Sequence, residues 1–381
     1  MFSTTILLIL CGLIMVYSTT GIMAIEKHND GYLFVKKQLT AILIGLLVML
    51  ISWRSDARIL EKYPTLFFFI ALFLAILPMI PGIGTSAGGA KRWINMPGFR
   101  LQPVEFAKVF FLIFLAGYVN NNRQHLKKFW IGLAKPILCV TIIAIPILAE
   151  PDFGSAAVLI LITLTVLAVS GADLKYLFFA GILVAIGLCL LIIISPYRLQ
   201  RVLSFLSPLS DPSGRGYQLI QSLIAISSGD LFGKGLGESQ QKLFFLPAAH
   251  TDFIFAVIVE ELGFFGGIAI IALYLLFLWR GIAVASALAE FPFLMVIALS
   301  MTLLITMPAL LNIGVVLGML PTKGLVLPLL GYGGSNALAS LAAVGLLLAA
   351  SKIARERKPP SKISQQRLNN LSLPIASTDL K

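Results

Sequence analysis

Ten long apolar runs leave this chain few folds to choose from. They cover residues 4–23, 34–52, 65–80, 104–119, 135–149, 155–171, 177–195, 253–279, 291–315 and 336–351. A helix needs roughly 20 apolar residues to cross the hydrocarbon core of a bilayer, whereas barrel strands are about half as long and alternate with a period of two. Only 12% of the residues are charged, against about a quarter in soluble domains. The expected fold class is all-α: a polytopic membrane helical bundle with ten transmembrane helices over residues 1–351. Segment 4–23 lacks the basic n-region of a cleaved signal peptide and is read as the first span.

The connections carry the polar residues. Segment 81–103, PGIGTSAGGAKRWINMPGFRLQP, is rich in Gly and Pro and too polar to cross. The longest connection, 196–252, separates the seventh and eighth spans, and connections of that length are usually functional or disordered. Within it Tyr217, Leu219, Ile220, Leu223 and Ile224 recur at helical spacing, which predicts a short amphipathic helix lying on the membrane surface. Gly229, Gly233, Gly235 and Gly237 then mark tight turns. The stretch around Lys234 is no Walker loop, because the first glycine spacing is wrong and no Ser or Thr follows the lysine. Cys11, Cys139 and Cys189 lie in apolar runs without the paired spacing of a metal or redox site. Residues 352–381, beginning KIARERKPPSK, are expected to form a disordered basic cytoplasmic tail.

Ten spans put both termini on one side, and basic clusters near span ends mark the cytoplasm. Lys127 and Lys128, and the RERK run from Arg355, place both termini there and the 196–252 loop outside. The outer face then carries Lys91, Arg92, Arg100, Arg198, Arg201, Arg215, Lys234, Lys242 and Lys323. Singly, each reads as solvated loop charge; as a set spread over three loops, they suit an anionic ligand at the membrane surface such as a lipid pyrophosphate. In a soluble protein the net charge of +12 would suggest nucleic acid. Here it reflects anionic membrane lipids and topology, and no nucleic-acid partner is expected.

Charged residues are absent from the interior of eight runs, and the other two hold theirs near the expected outer end: Glu105 and Lys108, and Glu260 and Glu261. A proton- or ion-coupled carrier keeps ionisable or discontinuous elements near the midplane, so this pattern favours chemistry at the outer surface. Glu105 and Lys108 share a helical face and read either as a self-neutralising pair or as ligand groups. Glu260 and Glu261 point about 100° apart and cannot share one job. In PAAHTDFIFAVIVEELG, Asp252 reads first as a cap of the eighth helix, where the dipole lowers its pKa unless burial offsets it. His250 reads as a surface histidine.

Four blocks together resemble the signatures of the SEDS family of bacterial cell-wall polymerases: KRWINMPGFRLQPVEFAK, EPDFGSA, GRGYQLIQSLIAISSGDLFGKGLGESQQKLFFLPAAHTDFIFAVIVEELG and NIGVVLGMLPTKGLVLPLLGYGGSN. GLGESQQKLFFLPAAHTDF and LPTKG are more similar to the cell-division branch than to the elongation branch that controls cell shape. Gly331 stands where Ser is common before YGGS, and Asn336 follows that motif, both conservative departures.

The resemblance implies ten spans with cytoplasmic termini in the bacterial inner membrane. It implies a peptidoglycan glycosyltransferase that polymerises lipid II at the outer face, working at the division septum with a class B penicillin-binding transpeptidase and other divisome proteins. The family's essential aspartate carries over to Asp252, QPxExxK to Gln102, Pro103, Glu105 and Lys108, and the PTKG lysine to Lys323. Lipid II is α-linked and the polymer β-1,4, so one inverting displacement suffices. Asp252 is expected to act as general base, with Lys323, Lys108, Arg92 and Arg215 stabilising the departing pyrophosphate. Glu105 orients Lys108, and Trp93, Gln218, His250, Lys242 and Ser335 complete the expected substrate site. A divalent cation, Mg or Mn, shares the charge if one is bound, although no dedicated metal site is visible. The competing readings are a lipid II flippase, the elongation polymerase that controls cell shape, and a division scaffold without chemistry of its own.

Overall fold

The computed structural model describes residues 1–55, 57–87, 90–96, 99–208, 216–242, 245–321 and 324–356. In chain order the helices are α1 (Phe2–His28), α2 (Leu33–Arg54), α3 (Ala57–Lys62), α4 (Pro64–Ile76), α5 (Pro103–Asn121), α6 (Lys135–Ala149), α7 (Phe153–Val169), α8 (Leu174–Ile194), α9 (Pro196–Leu206), α10 (Tyr217–Ser228), α11 (Ile254–Ala287), α12 (Pro292–Val316) and α13 (Gly334–Glu356). Between α4 and α5 lie three short strands, β1 (Gly84–Ala87), β2 (Ala90–Met96) and β3 (Phe99–Leu101), in one antiparallel sheet of order β1-β2-β3. Proline opens α4, α5, α9 and α12, where its missing amide and fixed φ cost nothing.

The helical bundle agrees with the sequence. Among the described residues, eight helices are long and apolar enough to cross a membrane. Two shorter apolar helices, Pro64–Met79 and Phe153–Val169, stand at the third and sixth apolar runs. α12 and α13 form the centre, with 72% and 78% of their most apolar windows buried, whereas α8, at 11%, lies at the edge.

Three local features differ from the sequence expectation. Segment 81–103, for which the sequence suggested no regular element, holds the three strands; Thr85 pairs with Trp93 and Ile94 with Leu101. α9 was not anticipated. α10 does not simply lie on a surface: it packs against α11 and α12, burying Leu219, Ser222 and Ala225, and the Ser222 hydroxyl donates to Val316 O at 2.9 Å. The expected tail lies outside the described residues from 357 onward, and α13 continues to Glu356.

α11 is broken near its start. Gly263 has φ 72° and ψ −173°, a left-handed conformation that side chains resist. The break strips helical partners from its neighbours, and the connection after α10 replaces them. Lys234 N and Gly235 N donate to Glu260 O and Glu261 O, while Phe264 N and Phe265 N donate to Asp230 O and Leu231 O. Buried backbone groups need such partners, so residues 230–235 are spliced into the helix.

The two glutamates fasten the same connection with their side chains. Glu260 accepts from Lys234 Nζ at 3.0 Å, Ser239 Oγ at 2.5 Å and Gln240 N at 3.1 Å. Glu261 Oε1 accepts from Lys242 Nζ at 2.9 Å and from Ser18 Oγ of α1 at 2.6 Å.

Candidate active site

The turn that precedes α11 meets the chain between α12 and α13 at the sheet-bearing end of the bundle. Asn312, 1% exposed on α12, joins the two. Its Nδ2 donates to Asp252 O at 2.7 Å and to Leu325 O at 2.6 Å. Tyr332 N donates to His250 O at 2.9 Å and adds a second tie. The Asp252 carboxylate lies against Gly324, where a Cβ would come within 3.1 Å of Oδ2. A side chain at 324 would crowd that oxygen, which would have to shift by a few tenths of an ångström.

Gly324 also lines a cavity of about 550 Å³, counting its open mouth. Gln102, Glu105, Lys108, Asp152, Asn336 and Ser340 supply its polar wall, and Leu304 and Pro308 of α12 part of its apolar one. Pro308 lacks the amide that would bond Leu304 O, so the helix is locally loosened where it faces the cavity. The first two turns of α5 carry Glu105 and Lys108 three residues apart, paired at 2.8 Å. Glu105 Oε2 accepts from Asn336 Nδ2 at 3.1 Å, so the pair is anchored on α13 and Lys108 presents a fixed positive charge.

Arg92 of β2 is drawn to the break between α6 and α7. Its Nε donates to Glu150 O at 2.8 Å and its Nη2 to Pro151 O at 2.6 Å. Asp152 caps α7, accepting from Ser155 N at 3.1 Å and Ser155 Oγ at 2.9 Å. Glu150 is 2% exposed, and neither carboxylate oxygen has a hydrogen-bond partner among the described residues. Burial, with the Asp152 charge adding to it and Arg92 opposing it, pushes the Glu150 carboxyl up to about 8. Burial likewise lifts Asp252 to about 6; Arg201 of α9 opposes the rise most strongly, and Asp152 and Arg92 also bear on it electrostatically. A carboxyl near 6 is ionised at neutral pH yet basic enough to take a proton, which the capping reading did not provide.

The structure gathers some of the predicted residues and separates others. Asp252, Arg92, Glu105 and Lys108 converge at or beside the cavity. Ser335 accepts from Gln102 N at 2.8 Å and donates to Arg100 O, fastening α13 to the entry of α5. Trp93 is half-buried on β2, and its carbonyl accepts from Thr85. Gln218 is half-buried in the first turn of α10. Lys242 does not face the cavity wall: its side chain is 5% exposed and committed to Glu261 and Ser18. His250 is no plain surface residue but sits half-buried among aromatic rings. Arg215 and Lys323 lie outside the described residues. Sequence reading counted Arg201 only as one of the outer-face cations and gave no role to Asn312, Glu150 or Gly324, whose positions depend on contacts between distant segments.

The sequence profile described as "Cell cycle protein", for FtsW, RodA and SpoVE, matches residues 1–356. The chain belongs to the FtsW/RodA/SpoVE family. It is 40% identical over 337 residues to the probable peptidoglycan glycosyltransferase FtsW of Geobacter sp. (strain M18), covering 88% of this chain and 92% of that protein. It is 38% identical over 351 residues to the stage V sporulation protein E of Bacillus subtilis (strain 168), covering 92% and 96%. Among solved structures, it resembles a chain described under "Structural coordination of polymerization and crosslinking by a peptidoglycan synthase complex", with TM-score 0.74, 28% identity and coverage of 92% and 97%. It also resembles the rod shape determining protein RodA of Thermus thermophilus, with TM-score 0.62, 26% identity and coverage of 91% and 96%. Family membership thus agrees with the resemblance read from the four motif blocks.

Proposed function

We propose that this protein is a peptidoglycan glycosyltransferase that polymerises lipid II into β-1,4 glycan during septal wall synthesis, with Asp252 as its general base. The 4-hydroxyl oxygen of the acceptor bonds to the anomeric carbon of the donor as the bond from that carbon to the diphosphate oxygen breaks. The hydroxyl proton passes to Asp252, and the electron pair leaves with the diphosphate. Lys108, held by Glu105, with Arg92 and Arg201, stabilises that leaving charge; Lys323 and Arg215 belong to the same group by their motifs. The observation that carries this reading is a carboxyl, lifted to about 6, lying against Gly324 of the cavity that Lys108 lines, with Arg201 and Arg92 bearing on it electrostatically.

Membership of the family and its similarity to FtsW proteins support the assignment. The sheet-bearing end faces outward in this reading, with both termini in the cytoplasm. A class B penicillin-binding transpeptidase and other divisome proteins are the partners, consistent with similarity to a chain of a peptidoglycan synthase complex. Among the described residues no three His, Cys, Asp or Glu side chains are grouped to hold a metal. The two partnerless Glu150 oxygens beside Asp152 nevertheless fit a divalent cation such as Mg or Mn, which commonly takes one or two carboxylates and completes its shell with phosphate and water. Glu150 and Asp152 would hold it, and it would supply neutralisation of diphosphate charge.

Asp252→Asn, purified with its transpeptidase partner, should lose a factor of roughly 10² to 10⁴ in glycan synthesis while still binding lipid II. Polymerisation at the wild-type rate would remove Asp252 from the mechanism.

A further inference from the structure

We propose that the coil of residues 324–333 is a brace that holds the Asp252 turn in place across the break in α11, with Tyr274 and Gln38 as its positioning residues. This rests on Asp252 being the base. The turn leads into the short first part of α11, residues 254–262, and Gly263 separates that part from the rest of the helix. A helix interrupted by a non-helical residue can bend there, so α11 by itself does not fix the turn. Residues 230–235 fill the break. The coil spans it, being bonded to α11 beyond Gly263 and to the turn before it.

On one side the coil meets His250, Thr251 and Asp252 in succession. Tyr332 N donates to His250 O at 2.9 Å. A Cβ on Gly331 would stand 3.1 Å from Thr251 O, and one on Gly324 would stand 3.1 Å from Asp252 Oδ2. Leu325 O shares the Asn312 amide with Asp252 O.

On the other side the coil enters the bundle. Tyr274, about three turns past Gly263 and 0% exposed, donates its hydroxyl to Pro328 O. Gln38 of α2, 3% exposed, donates to Gly331 O at 3.4 Å and accepts from Gly333 N at 3.2 Å. A Cβ on Gly12 of α1 would stand 2.7 Å from Leu330 O, so this backbone also lies against a third span. Leu325, Leu327, Leu329 and Leu330 are all buried. Non-helical backbone at membrane depth persists only where protein satisfies its polar groups, and here side chains of α2, α11 and α12 do so. Leu329 is held at φ 68°, a left-handed conformation costly for a branched side chain. Such strain survives where the surroundings over-determine the backbone, and it gathers at functional sites.

The Tyr274 hydroxyl is not needed for packing. Phenylalanine would fill the same apolar space without burying a polar group, so the service of the hydroxyl is to Pro328 O. Gly324, at the start of the coil, lines the cavity as well as touching the carboxylate, so one element sets both. A base displaced by about 1 Å can lose on the order of 10²-fold in rate, which makes a brace far from the chemistry kinetically visible.

Tyr274→Phe and Gln38→Met are each purified with the transpeptidase partner, alone and combined with Asp252→Asn, and assayed for lipid II polymerisation well below their melting temperatures. Tyr274→Phe should lose about tenfold in kcat with the KM for lipid II unchanged. The same substitution should cost less than about twofold in the Asp252→Asn background, because a residue acting only through the base then has nothing left to position. Gln38→Met should repeat the pattern, and it carries the test if Tyr274→Phe does not fold. Unchanged kcat in both variants would overturn the brace, and so would a raised KM at unchanged kcat. Equal losses with and without the Asp252 carboxylate would also overturn it, because that pattern marks a general weakening of the fold. Full activity of Asp252→Asn would instead reject the base, and with it the reading on which the brace rests.

Discussion

Replacing the proposed base should stabilise the protein. Folding lifts the Asp252 carboxyl from 3.8 to about 6, chiefly through burial. A carboxyl raised in the folded state binds its proton more tightly there than in the unfolded chain, so the charged form opposes folding. At about 1.4 kcal/mol per pH unit, the penalty at neutral pH reaches at most about 3 kcal/mol. It is complete above the folded value and disappears below 3.8, where both states are protonated. Asp252→Asn keeps the shape and removes the charge. The variant should melt a few degrees higher than the wild type at pH 7.5, with a gap roughly halved at pH 5, as followed by intrinsic fluorescence in detergent. The same carboxyl makes synthesis fall about tenfold per pH unit below about 6. An Asp252→Asn protein no more stable than wild type at pH 7.5 would refute the burial argument.

Asn312→Ala removes both donors that tie Asp252 O and Leu325 O. It should cost about 2 kcal/mol in stability and roughly tenfold to a hundredfold in kcat, read from melting and initial rates. Glu261→Gln leaves Lys242, only 5% exposed, without its counter-charge and should destabilise by about 3 to 5 kcal/mol. The double change Glu261→Gln, Lys242→Met should recover most of that loss in the same melting assay. Mg or Mn should raise the melting temperature of the wild type but not of Glu150→Gln, and an equal rise in both would remove Glu150 from cation binding.

Asp252, Glu105 and Lys108 were legible because their motifs are local: a polar turn before an apolar run, and a charged pair three residues apart at a helix start. Glu150 was visible only as part of a break at EPDFG, since nothing in five residues tells whether a carboxylate will find a donor. Lys242 shows the opposite failure. As an exposed-loop cation it suited an anionic ligand, yet Ser18 and Glu261, 224 and 19 residues away, claim it. The glycines of the connection after α10 announced turns, but not that its backbone would enter a broken helix at Gly263.

Hydrophobicity by itself determined the class of this protein, because apolar runs of helix length can satisfy their backbone in a bilayer only as helices. Its motif blocks determined the family. Tertiary structure alone decided which charges are spent on holding the chain together and which are left to act. Pairing energies depend on distance and burial, and those are set when α5, α9, α12 and the sheet bring remote residues around one carboxylate and the cavity beside it.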